Sequence, residues 1–523
     1  MIWGWLAAAV VLGSIAASVV GLWLGAGIQP DSFVGDYTLG ILGFTLLEAG
    51  LSMLLSVGLA IPAARALARR TRFPGRGALI ALLALPMVVP PLVGVLAIVQ
   101  IWGRTGLVSQ AARALGLETT INVYGLTGIL LAHVFFNMPF ATRMLLQAWA
   151  SIPGEHWRLA RQLGLSGPGV FRFVEWPVLR RALPSAAALV FLLCFTSFAI
   201  VLALGGGPPN ATLEVAIFQA VRFDLDFGLA LALAAIQVTV CAAVLIGLGR
   251  LQRTAPLGLG VDPPAVRPDL EGVWGRIGDG AAISLVAAVL LVPLAAIAVD
   301  GLMGPLATAL ARPALWWAAA RSLALAVGSA TLAVALGLAI VSTLRELRIR
   351  RGKPRLAGGM EAASSLVLVV PPFVLAAGWF LLLRPVLDVF AYGLGLVLVA
   401  NVLISLPFVV RVVAPAATMT FERTWRLADS LGMRGWRRLR LIDLPALRRP
   451  VGLAFGIAAA LAFGDLGVIA MFGTNETETL PLYLYQLIGA YRMGEAAVVG
   501  LLLVVCCLGL FGLGERVMGR VPG

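Results

Sequence analysis

Asp465 stands in the stretch "FGDLG", within an otherwise apolar run, and Phe463 precedes it by two residues. A carboxylate beside an aromatic ring can hold an organic cation, through charge pairing and the attraction of a ring face for positive charge. The same acid could instead cap a helix broken between Gly464 and Gly467. A second acid, Glu48, lies in another apolar run. Both are candidate pathway residues, because charge placed inside a membrane is costly. Phe195 and Ser197, in "FTSFA", repeat the Phe463–Asp465 spacing with a hydroxyl in place of the carboxylate. Two Pro-Pro pairs, Pro90-Pro91 and Pro371-Pro372, interrupt further apolar runs. Proline removes a backbone donor and kinks a helix, and such interruptions line pathways or form gates in membrane proteins. His133 and Gln237 read as interhelical hydrogen-bonding groups.

Other chemistries lack their residues. His133 and His156 are the only histidines, and Cys194, Cys241, Cys506 and Cys507 all fall in apolar runs without a CxxC spacing. No metal site is therefore expected, and the cysteines read as small packing residues. The single lysine, Lys353 in "LRIRRGKPR", lacks the upstream Gly and the following Ser or Thr of a phosphate-binding loop. No bound cofactor is expected. Two histidines and scattered acids also offer little material for an intramembrane enzyme.

The elements that must position these residues are membrane spans. Of 523 residues 60% are hydrophobic and only 12% charged, with a mean hydropathy of +0.98. About 20 apolar residues cross the hydrocarbon core as a helix. Twelve such runs are predicted, at 4–24, 42–63, 78–101, 124–147, 184–204, 228–249, 279–300, 322–342, 363–383, 392–413, 451–472 and 494–514. The net charge of +14 is not spread as a nucleic-acid surface would be: 30 Arg and Lys fall in every second interspan segment, and 7 in the others. By the positive-inside rule the basic segments and both termini face the cytoplasm. The apolar N-terminus lacks the charged start of a cleavable signal and reads as a retained first helix.

The chain also repeats itself. A shift of 268 residues places "WRLARQLGLSGPGVFRFVEWPVLRR", from Trp157, on "WRLADSLGMRGWRRLRLIDLPALRR", from Trp425. With six spans before each return, the halves are related by an axis along the membrane normal. They run over 1–250 and 279–523, joined by a Pro- and Gly-rich cytoplasmic linker at 251–278. The repeated sentences lie in cytoplasmic loops at about 148–183 and 414–450. Each reads as a short helix, a Gly turn and a second helix opened by Pro. Small residues such as Ala160 and Gly164 allow close approach by another protein.

Both loops resemble the "EAA" loop of ABC importer permeases, in which Gly is followed ten residues on by an aliphatic residue and three further by Pro. Here the matching residues are Gly164, Val174 and Pro177, and Gly432, Ile442 and Pro445, with Gly167 and Gly435 also superimposed. Arg158-Leu159-Ala160 and Arg426-Leu427-Ala428 stand where that family has Glu-Ala-Ala, so only the last Ala is kept. The resemblance implies an all-α, type I importer permease in a bacterial inner membrane, each loop docking one copy of a cytoplasmic ATPase that carries ATP and Mg.

A finer resemblance runs through "FTSFAIVLALGGGPPNATLEVAIFQA" and "LAFGDLGVIAMFGTNETETLPLYLYQLIGAYR". It is to the bacterial thiamine permeases of this class, fused two-half proteins. It implies a periplasmic thiamine-binding protein as partner, transport rather than catalysis, and a thiazolium cation as the charge that Asp465 would meet. Ferric-iron permeases share the fused build and give the alternative cargo. A secondary transporter driven by an ion gradient is a further alternative, which leaves the duplicated cytoplasmic loops as mere basic anchors.

Overall fold

In hydrocarbon the backbone has no solvent to bond with, so each apolar run satisfies its own N–H and C=O groups by folding as helix. The computed structural model describes residues 2–26, 35–104, 106–116, 122–251, 267, 269, 272–368, 370–433, 435–474 and 476–519, and every regular element among them is helical. The first half contains α1 (Ile2–Ala26), α2 (Asp36–Arg69), α3 (Pro91–Trp102), α4 (Leu126–Ala150), α5 (Gly154–Gln162), α6 (Trp176–Phe195), α7 (Ala199–Leu204), α8 (Leu213–Gln219) and α9 (Phe227–Leu251). The second contains α10 (Val273–Met303), α11 (Pro313–Arg345), α12 (Pro354–Ser365), α13 (Pro372–Leu383), α14 (Gly393–Ser430), α15 (Leu444–Phe463), α16 (Gly467–Phe472), α17 (Leu480–Gly489) and α18 (Met493–Gly519). Short helical turns fill several of the connections.

Among the described residues, eleven helices are long and apolar enough to cross a membrane, against twelve apolar runs in the sequence. The difference lies at 363–383, where the run divides into α12, a short turn and α13 around Pro371. Proline supplies no N–H and clashes with the preceding turn, which ends one helix and lets the next begin. Most of the linker expected at 251–278 lies outside the described residues; α10 already begins at Val273, inside it.

The halves exchange their first helices. α1 packs on α13 and α11 of the second half, while α10 packs on α2 and α3 of the first as well as on α18. Lipid tails are as apolar as leucine, so helices join where small residues let their backbones approach. A Cβ on Gly21 of α1 would collide with the backbone carbonyl of Gly378 of α13, and a Cβ on Gly378 would collide with Ser18 of α1. Ser18 Oγ donates to Val374 O at 3.0 Å, and Trp379 Nε1 donates to Ser14 O at 2.9 Å. Gly378→Val is therefore expected to loosen α1 and destabilise the protein by about 1–3 kcal/mol, the usual cost of overpacking. Thermal unfolding in detergent checks this, and an unchanged midpoint would show that the contact is dispensable.

Candidate translocation site and coupling loops

Four interrupted spans meet between the halves. Pro90 and Pro371 have extended backbones (ψ 139° and 144°), and Pro91 and Pro372 open α3 and α13. These pairs were expected to kink continuous spans; instead each ends one helix and starts another. The other two interruptions are Thr196–Phe198, between α6 and α7, and Gly464–Leu466, between α15 and α16. A Cβ on Gly464 would lie 2.9 Å from Pro90 Cγ, so the second-half break is seated on the first-half proline. Phe198 stacks on Phe373 with centroids 4.9 Å apart, and Phe218 meets both rings edge-on at 5.3 and 5.6 Å. Such aromatic pairs each contribute about 0.5–1.5 kcal/mol beyond their buried area.

Asp465 lies in this junction. Its Oδ1 accepts from Val468 N at 3.4 Å, so the carboxylate caps the first turn of α16, while Oδ2 is enclosed without a hydrogen-bond partner. The carboxamide of Asn401 in α14 neighbours it. Ser197 is half-buried in the matching break. Phe195 and Phe463 are fully buried, Phe195 stacking on Phe191 at 5.5 Å. The aromatic ring that reaches the Asp465 turn is Phe198, against Gly467.

Glu48 belongs to a different cluster, between α2 and α4. Ser52 Oγ donates to Glu48 Oε1 at 2.8 Å and lies 3.0 Å from His133 Nδ1, which is itself 2.5 Å from Glu48. Gln237 Nε2 donates to Glu214 Oε1 at 3.0 Å, joining α9 to α8. Glu214 was not singled out from the sequence, because "NATLEVAIFQA" follows a Gly-Pro turn and reads as an outer loop. In the structure it opens a short helix that dips back among the spans. The two such helices are tied alike: Leu213 N donates to Thr45 Oγ1 at 3.1 Å, and Leu480 N donates to Ser322 Oγ at 2.8 Å. A cleft of about 300 Å³ opens beside α8, lined by Val201, Asn210, Phe218, Phe223 and, from the second half, Tyr485.

At the opposite end lie the two repeated loops. Gly164 and Gly432 have φ of +62° and +64°, with open space where a Cβ would point. Leu165 N donates to Ala160 O at 3.0 Å and Met433 N to Ala428 O at 2.8 Å, the six-to-one bond of a helix ended by a left-handed residue. The two glycines thus end the same helix in both halves and lie exposed. Ala160 and Ala428 are each only 1% exposed and face the protein's own interior, which corrects their expected place on the docking face. The outward residues are Leu159 (53%), Leu163 (64%) and Phe173 (63%), matched by Leu427 (65%), Leu431 (65%) and Leu441 (59%). Arg158 and Arg426 are also exposed, whereas Val174 is buried and Ile442 half-buried. Pro177 and Pro445 open α6 and α15. Gly435 has φ +56°, while Gly167 starts a short helix.

The loops differ in one respect. A separate short helix, α5, is present only in the first, where Pro153 and Gly154 part it from α4; the second has Phe421 and Glu422 there, and α14 runs unbroken to Ser430. In both, a π-turn follows, Phe171–Glu175 and Leu439–Asp443, and delivers an acid to an arginine on the second helix of its half. Arg65 Nε donates to Glu175 Oε2 at 2.7 Å, and Arg345 Nη2 donates to Asp443 Oδ2. Among the described residues, the linker joins the first pair. Arg267 bonds to Glu175 and Asp269 and lies 4.1 Å over the ring of Trp157. Burial acts against the Asp269 carboxylate, but the hydrogen bond and charge of Arg267, with the charges of Arg69 and Arg65, outweigh it and hold the carboxyl below its ordinary range. These acids were legible only as repeat-related positions in "FVEWP" and "LIDLP"; their arginine partners lie some 100 residues away.

Residues 56–255 and 335–521 match the family described as the binding-protein-dependent transport system inner membrane component. The chain is 42% identical over 492 residues to the thiamine transport system permease protein ThiP of Brucella abortus (strain 2308), covering 94% of this chain and 90% of that one. It is 42% identical over 526 residues to the ThiP of Salmonella typhimurium, covering 99% and 97%. A molybdenum transport system permease protein, ModB of Azotobacter vinelandii, is 32% identical over 184 residues, covering 35% of this chain and 80% of that one. Two matched segments in one helical chain, each carrying the same Gly-terminated helix, accord with a fused permease, a transport subunit that spans the membrane many times. The chain belongs to the inner-membrane component family of binding-protein-dependent transport systems.

Proposed function

We propose that this chain is the permease of an ATP-driven importer that carries thiamine and its phosphate esters from a periplasmic binding protein into the cytoplasm. The observation that carries the reading is the 42% identity to a thiamine permease over 99% of the chain. Two copies of a cytoplasmic ATPase, which bind ATP and Mg themselves, seat on the two loops through Leu159, Leu163 and Phe173 and through Leu427, Leu431 and Leu441. Closure of the ATPases moves the loops, and the π-turn acids relay that motion to α2 and α11 through Arg65 and Arg345. The four interrupted spans then open alternately to either side. Iron would call for several hard oxygen ligands; among the described residues no three His, Cys, Asp or Glu gather as a metal site, which favours an organic cation.

The test is ATP hydrolysis in nanodiscs by this chain with its co-expressed ATPase. Stimulation by thiamine-loaded binding protein and not by an iron-loaded one is the expected result. Stimulation by the iron-loaded protein alone would overturn the cargo, and failure to retain any ATPase would support a secondary transporter instead.

A further inference from the structure

The junction between the halves contains polar atoms that its own protein leaves unused. Asn401 Nδ2, Ser405 Oγ and Asp465 Oδ2 are all buried with no close, well-aligned hydrogen bond, and the Asn401 carboxamide lies side by side with the Asp465 carboxylate. Asn401 and Ser405 are one turn apart on α14, on the same side of the helix. Asn401 and Ser405 are almost wholly enclosed, and leaving buried polar atoms unpaired carries a penalty that a ligand can relieve. The first half is arranged differently: the residue 268 positions before Asn401 is His133, and the cluster around it is bonded to Glu48 and Ser52. In that cluster Glu48 Oε2 and His133 Nε2 are likewise buried without a partner, but Glu48, Ser52 and His133 are already bonded to one another.

We infer that Asn401 and Asp465 form the recognition edge for the 4-aminopyrimidine ring of the cargo. Asp465 Oδ2 accepts from the exocyclic amino group and Asn401 Nδ2 donates to the adjacent ring nitrogen. A neighbouring donor and acceptor on the protein match a neighbouring acceptor and donor on the ring, as in the paired amide contacts that read adenine. Phe198, which reaches the same turn and stacks on Phe373, supplies the aromatic face for the second, cationic ring. Ser405 Oγ is placed to hold a substituent or a water beside the ring. The breaks explain the chemistry: a continuous helix would occupy the Asp465 backbone and orient its side chain outward, whereas the interruption turns the carboxylate into the junction while one oxygen caps α16.

This inference rests on the thiamine reading and is tested within it. Oxythiamine carries a carbonyl where thiamine carries the amino group, so its edge offers the reverse order of donor and acceptor. Uptake and ATP stimulation are measured for both compounds with wild-type, Asp465→Asn and Asn401→Leu complexes, using the same binding protein throughout. The binding protein's own preference is common to all three and cancels when the ratios are compared. Asp465→Asn can donate to the carbonyl, and it is expected to raise the oxythiamine-to-thiamine ratio about tenfold, the worth of one buried polar mismatch. If that variant is not recovered because α16 loses its cap, Asn401→Leu is expected to narrow the preference for thiamine severalfold. A purely structural role lowers uptake of both compounds alike and leaves the ratio unmoved. A wild-type complex that responds to thiamine, with the same ratio in every recovered variant, would overturn the site alone; one indifferent to thiamine would overturn the cargo as well.

Discussion

Changing Leu159, Leu163, Leu427 and Leu431 to Asp is expected to leave the chain inserted in the membrane and to abolish its retention of ATPase subunits. These four residues project from the two repeated loops in matched pairs, one helical turn apart, and are more than half exposed. Burying a leucine side chain contributes about 1.5–3 kcal/mol. Two such residues per loop account for a weakening of at least about a hundredfold when lost, and a carboxylate carried into the interface weakens it further. The side chains make no use of the interior, so insertion and thermal stability stay near wild type. Co-purification stoichiometry and uptake into proteoliposomes are the measurements. Under the proposed mechanism, in which two ATPases close together, the variant confined to one loop is expected to retain a single ATPase and to lose transport. Undiminished retention by the fourfold variant would remove these residues from the contact.

The second large effect is expected at Asp443. Its carboxylate is buried, Arg345 donates to it, and Arg438 Nε lies 3.6 Å from the other oxygen. Both guanidinium groups also lie over Phe421, at 4.9 and 4.2 Å. Asp443→Ala leaves two arginines facing one another without their acid. Breaking a buried pair from one side costs about 3–5 kcal/mol, since the remaining charge stays desolvated. Combining Asp443→Leu with Arg345→Met should recover much of that loss, because removing both charges also removes the penalty. Thermal unfolding in nanodiscs measures both, and equal destabilisation by the single and double variants would show that the pair is not the source. The matching change Glu175→Ala is expected to cost less, because Arg65 is a quarter exposed and reaches water.

The two experiments probe opposite faces of one element. The π-turn that ends each loop has its exposed residue, Phe173 or Leu441, pointing away from the bundle and its acid, Glu175 or Asp443, turned toward an arginine of the bundle. An insertion of one residue into a helix rotates everything after it, and here that rotation lets the same few residues face a partner and the bundle at once. The linker adds an asymmetry. Arg267 and Asp269 brace only the first loop, and Arg69 and Arg70 tie the same end to Asp279 of α10. Through these ion pairs the first loop and the end of α2 are tied to the linker and to the second half.

Sequence by itself determined the apolar runs, the alternation of basic segments, the duplication and the two loops, because each is a local property. Run length against membrane thickness, the count of arginines on alternate segments, and a Gly or Pro at a given offset all act on neighbouring residues. Gly164 and Gly432 were legible for that reason, and each ends a helix. The prolines at 90, 91, 371 and 372 were legible as interruptions, but whether a proline kinks a helix or divides it depends on what covers the freed carbonyls. Only the tertiary structure decided which partners meet: the exchange of α1 and α10, the seating of Gly464 on Pro90, the pairing of Arg65 with Glu175 and the place of Asn401 beside Asp465. These contacts join segments tens to hundreds of residues apart, and nothing in local hydropathy selects one among many apolar surfaces. The orientation of Leu159 outward and Ala160 inward belongs with them. On a helix lying between a protein and water, the face that is buried is chosen by the neighbour, and the neighbour exists only once the chain has folded.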